Sequence, residues 1–100
     1  MIRIQIKGEE KNNKFFKFGK ENGANYYEED EKHKYLIWYS ERKSHNNRDR
    51  VAIRLRDDGC VDFGHIIEEC MNYEPDYRWN TKGAQIFIIE KLNIIQKYKK

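Results

Sequence analysis

The sequence predicts an α+β domain. An antiparallel sheet of four to six strands occupies residues about 1–63, and two helices, about 64–73 and 82–98, pack on one of its faces. Three observations carry this expectation. The N-terminus alternates apolar and charged residues with a period of two. Two β-rich runs, 35–39 and 51–56, lie in the middle of the chain, the second followed by an Asp-Gly turn. Helical spacing is confined to the last third.

At the N-terminus, Ile2, Ile4 and Ile6 alternate with Arg3, Gln5 and Lys7, as in a strand with one buried face. Gly8 to Asn13 reads as a turn, and Lys14 to Phe18 as a second strand returning in a hairpin. Gly19 and Gly23 bracket a polar loop, after which Ala24 to Tyr27 is long enough for a short third strand. The polar stretch Glu28 to Lys34 reads as an exposed loop, so the acidic run Glu28, Glu29, Asp30 and Glu31 is expected to be solvated. Tyr35 to Tyr39 is continuously apolar and suits a central strand covered on both faces. Ser40 to Asp49 is a long polar connection. In the next strand Val51, Ile53 and Leu55 point one way, and Arg50, Ala52, Arg54 and Arg56 the other. Asp58-Gly59 then marks a tight turn, with Cys60 to Phe63 as the returning strand.

Ile66, Ile67, Cys70 and Met71 have helical spacing, with Asp62 or Gly64 as the cap and Pro75 as the stop. A longer helix begins after Asn80 or Thr81. Its stripe is Ala84, Phe87, Ile88, Leu92 and Ile95, widened by Ile86, Ile89 and Ile94, with Lys97, Lys99 and Lys100 near its C-terminus, where the helix dipole favours cations. At 100 residues, with one proline and no linker composition, the chain is expected to form a single domain, 1–100.

Composition bounds the function. The net charge of +3 is too small to establish nucleic-acid binding. No apolar run approaches the roughly 18 residues of a membrane span. Met1 to Lys7 lacks the apolar stretch of a secretory leader, which points to a cytoplasmic protein with reduced thiols. Richness in Asn, Lys, Ile and Tyr fits AT-rich codons, hence a phage or low-GC bacterial source.

The most informative cluster is basic. Arg42, Lys43, Arg48, Arg50, Arg54 and Arg56 are opposed by Asp49 alone between positions 42 and 56, so that span carries +5. Arginine's planar fork suits bidentate contacts to carboxylate or phosphate, so the cluster reads either as a solvated sheet face whose arginines pair with neighbouring acids or as a binding surface for protein or nucleic acid. Trp38, with Tyr35 and Tyr39, is the aromatic neighbour able to anchor a partner. Tyr73, Tyr77 and Trp79 form a second aromatic group, read first as filler beneath a connection.

Metal and catalytic chemistry find less support. Cys60, His65 and Cys70 are spaced C-x4-H-x4-C, but a structural zinc site needs four ligands; both cysteines read as small buried hydrophobes, and no metal or cofactor is expected. Asp62 and His65, at the expected strand-to-helix junction, form the one acid–base pair, with the arginines available to stabilise developing charge. His33 and His45 read as solvated.

These readings converge on a small non-enzymatic binding protein, an accessory or inhibitory factor acting by protein–protein contact on a protein or nucleoprotein partner. The contact residues expected are Arg42, Lys43, Arg48, Arg50, Arg54, Arg56 and Trp38. The alternatives are a nucleic-acid-binding domain using the basic hairpin, and a small ribonuclease using His65 with Asp62.

Overall fold

A computed structural model of the chain describes residues 2–40, 49–67, 70–72 and 82–99, with backbone alone for 49, 50, 65–67 and 70–72. The elements are β1 (Ile2–Gln5), α1 (Lys14–Glu21), β2 (Tyr26–Glu29), β3 (Lys34–Tyr39), β4 (Asp49–Arg56), β5 (Val61–Ile67), β6 (Cys70–Asn72) and α2 (Lys82–Lys99). The six strands form one antiparallel sheet in chain order, β1 to β6. The α+β class, the antiparallel sheet and the C-terminal helix agree with the sequence reading.

Two elements differ from that reading. Lys14–Phe18 is the start of a helix and not a strand. Asn13 caps it, its side-chain oxygen accepting from the Phe16 amide, so a donor left open at the helix start is satisfied. Helical winding gathers Phe15, Phe16 and Gly19 on the buried side and leaves Lys14, Lys17 and Lys20 exposed, whereas a strand would send Phe15 and Phe16 to opposite faces. The chain leaves the helix through Gly23, at φ +78°. Strand β1 therefore pairs with β2, Ile4 opposite Tyr27, so the short third strand exists and is internal to the sheet.

The second difference is the helix expected over 64–73. In its place β5 runs on to Ile67 and β6 follows at Cys70–Asn72. Ile66, Ile67, Cys70 and Met71 suit either period. The ladder to β4 extends from Leu55↔Val61 to Asp49↔Ile67 and satisfies backbone groups along its whole length. Gly64, a poor helix former, is buried directly opposite Ala52, where two small residues meet. The proposed stops and caps at Pro75, Asn80 and Thr81, and the aromatic group Tyr73, Tyr77 and Trp79, lie outside the described residues.

Both helices lie on one face of the sheet. Leu36, Trp38, Ile53 and Leu55 from the central strands are fully buried there against Phe16 of α1 and Ile95 of α2. Burial of each such side chain contributes roughly 1.5–3 kcal/mol. Phe15 and Phe18 of α1 pack against the Tyr98 ring of α2 at 5.3 and 5.2 Å between centroids, closing the helix layer. Two hydrogen bonds tie helix ends to the sheet: Trp38 Nε1–H donates to the Asn22 carbonyl at 3.0 Å, and the Tyr98 hydroxyl to the Asp57 carbonyl at 3.1 Å. The Asp58-Gly59 turn forms as expected, with Gly59 at φ +94° and the Arg56 amide bonded to the Cys60 carbonyl at 2.8 Å. In α2, Ala84, Phe87, Leu92 and Ile95 of the expected stripe are turned inward and Ile94 widens it, but Ile86 and Ile89 do not: they are 49% and 59% exposed. Among the described residues no helix is long and apolar enough to cross a membrane.

Candidate binding face

The opposite face of the sheet carries no helix among the described residues, and the register sets what it displays. One row across the strands reads Arg3, Glu28, Tyr35, Arg56; the next reads Gln5, Tyr26, Ile37, Arg54, Asp62; a third reads Tyr39, Ala52, Gly64. Ile37 and Ala52 are buried in a small cluster with Tyr26, against which Tyr39 packs. The Tyr26 and Tyr39 rings lie 5.6 Å apart. Around this patch stand arginines and carboxylates.

Arg54 and Arg56, two residues apart on β4, do lie on this face, as the alternation of 51–56 requires. Each meets a carboxylate. Arg54 donates from Nη2 and Nε to Asp62 Oδ2 at 2.7 and 3.2 Å, and its guanidinium sits 4.6 Å from the centre of the Tyr35 ring. Arg56 makes a two-pronged contact with Asp58, at 2.9 Å from Nε and 2.7 Å from Nη2. Arg3 donates from Nε to Glu28 at 2.9 Å. The Arg56 guanidinium, with the Cys60 amide second, holds the Asp58 carboxyl far below its ordinary range, and Asp58 in turn raises Arg56. The described part of this face is therefore balanced in charge and rich in oriented donors and acceptors, not a bare cationic stripe.

The remaining expected contact residues fare differently. Trp38 is not available to a partner: it is fully buried on the helix side, because alternation from Leu36 carries it to that face. Arg50 belongs to β4 opposite Ile66, with its side chain not described. Arg42, Lys43 and Arg48 lie outside the described residues, as does His45.

The acidic run is not a solvated patch. Glu28 and Glu29 end β2, where Glu28 is buried beside Arg3, and the Tyr27 hydroxyl donates to Glu29 at 2.6 Å. Asp30 accepts from the Lys32 and His33 amides and from the Tyr35 hydroxyl. Those donors, the His33 amide foremost, lower its carboxyl to about 2. Glu31 alone of the four is exposed. Burial first, and the Asp30 carboxylate next, raise the Tyr35 phenol.

Sequence reading missed one contact here. His33 Nδ1 lies 3.0 Å from Asp57 Oδ1, half-buried, joining the β2–β3 turn to the β4–β5 turn. The partners are 24 residues apart, and no local pattern connects them. The junction expected to hold Asp62 and His65 does not exist, since both belong to β5 and Asp62 is bonded to Arg54. Cys60 is an exposed free thiol at the end of the turn, not a buried hydrophobe. Among the described residues no group of three metal-binding side chains forms. Compared with protein-family models, curated proteins and solved structures, the chain matches none.

Proposed function

We propose that this chain is a small non-enzymatic binding protein that acts by protein–protein contact, as an accessory or inhibitory factor, through the sheet face opposite α1 and α2. Its partner is a protein, or the protein surface of a nucleoprotein complex. One observation supports the reading: on that face the Arg54 guanidinium stands over the Tyr35 ring, with the Tyr26–Tyr39 pair in the adjoining rows. The carboxylates beside Arg3, Arg54 and Arg56 fit equally a solvated face whose arginines pair with neighbouring acids, so in this reading the tyrosines are the anchors. Tyrosine and arginine are enriched at binding centres, where they combine broad contact area with directed donors. Arg50, on the same strand, and Arg42, Lys43 and Arg48, close to it in sequence, extend the contact in this reading.

The pairing also argues against a phosphate-gripping surface. A nucleic-acid backbone gains affinity by releasing counterions from cationic sites. Here Glu28, Asp58 and Asp62 stand beside the arginines and would repel it.

The test uses wild-type protein and the Tyr35→Ala and Arg54→Ala variants, immobilised and exposed to nuclease-treated extract of the source cells. We expect a stoichiometric protein partner that survives nuclease. Each variant should weaken it by about 2 kcal/mol, near 30-fold, with folding unchanged by circular dichroism. Loss of the partner on nuclease treatment, or steeply salt-dependent binding to single-stranded oligonucleotides, would replace this reading with the nucleic-acid-binding one.

A further inference from the structure

Helix α2 has a second apolar feature that its packing on the sheet leaves unused. Its inner side is closed by Ala84, Ile95, Phe87 and Leu92. Its outer side shows Ile86 and Ile89, exposed to 49% and 59%, with Lys82, Glu90, Asn93 and Lys97 exposed around them. Of the three large hydrophobic side chains exposed among the described residues, two are thus neighbours three apart on one helix. Two isoleucines side by side on an otherwise polar helix side form a small apolar patch rather than a scattered exposed residue.

The arrangement of charge around it suits a second copy of the same helix. Lys82, Ile86 and Glu90 form one ridge of residues four apart, the kind of ridge that packs between helices. The ridge is self-complementary when reversed. Ile86 is at its centre, with Lys82 and Glu90 each four residues away, about 6 Å along the axis at 1.5 Å per residue. A two-fold axis beside Ile86 places Ile86 against its own copy and brings each Lys82 level with the other copy's Glu90. The stem of that lysine then lies over Ile89.

We propose that this chain self-associates through α2, antiparallel, about a two-fold axis at Ile86. The contact is small. Two isoleucines and a lysine stem per copy fall short of the roughly 800 Å² per partner of a stable interface, so the dimer is weak and exchanges rapidly. In this dimer the helix layers meet back to back and the two sheet faces opposite them point outward. The inference does not depend on those faces binding anything; should they do so, the dimer presents two sites to one partner assembly.

Sedimentation equilibrium on purified protein, from micromolar to millimolar, tests the proposal. The weight-average mass should rise with concentration from the 12.3 kDa of one chain towards twice that value. Ile86→Asp should hold the mass at one chain while leaving the circular dichroism spectrum unchanged. Lys82→Glu and Glu90→Lys should each weaken association several-fold, and the double exchange should restore it. The charge exchange keeps the test decisive if the Ile86 variant fails to fold. A mass that stays at one chain throughout, association unaffected by Ile86→Asp, or a double exchange no better than its single variants would overturn the proposal.

Discussion

Gly19 shows how closely single residues are fitted in this chain. It lies on the inner side of α1 against Leu36 of β3, and a Cβ at this position would stand 2.4 Å from one Leu36 methyl and 3.0 Å from the other. Leu36 is fully buried, so its methyls can yield only by shifting against packed neighbours. Gly19→Ala should therefore destabilise the protein by about 1–3 kcal/mol despite alanine's better helix propensity, read from the urea midpoint. In a Leu36→Ala background the same change should cost much less. Asp30 makes a different local prediction. Its folded carboxyl titrates near 2, below its ordinary 3.8, because the His33 and Lys32 amides and the Tyr35 hydroxyl bond its charged form. The stabilisation is therefore fully present above the ordinary value and is lost as pH falls through about 2. A carbon-detected NMR titration should place the Asp30 midpoint near 2, and Tyr35→Phe should move it upward.

At the scale of elements, the legible segments were those with a single period. Ile2–Gln5, 51–56 and the Asp-Gly turn form as strands and turn, and 82–98 as a helix, because their spacing admits one solution. Lys14–Phe18 and 64–73 admit two. In the first, the Asn13 cap and the gathering of Phe15 and Phe16 decide for the helix. Asn13 suits a turn as well as a cap, and only the helix that follows gives its side chain an open amide to accept from. Asn13→Ala should lower stability by about 1 kcal/mol in chemical denaturation, while Asn13→Ser should be close to neutral. In the second, pairing of β5 with β4 and of β6 with β5 converts an ambiguous segment into two strands. That outcome depends on a neighbour's backbone and cannot be read from the segment alone.

For the molecule as a whole, the two sides of the sheet do different work. The helix side holds the main core, and the other side holds a small tyrosine-capped cluster ringed by ion pairs. Alternation along the chain determined that Arg54 and Arg56 share one side of β4, opposite Ile53 and Leu55, because side-chain direction in a strand is a local property. It equally determined that the sheet is antiparallel and mostly precedes the long helix, since those elements follow from periodicity and turn chemistry. Only the tertiary structure decided that Trp38 is core, that Glu28 is buried, and that Arg54 meets Asp62. The physical reason is register. Arg54 faces Asp62 and Arg3 faces Glu28 because particular strands pair at particular offsets, and which charges neutralise one another is settled by that alignment.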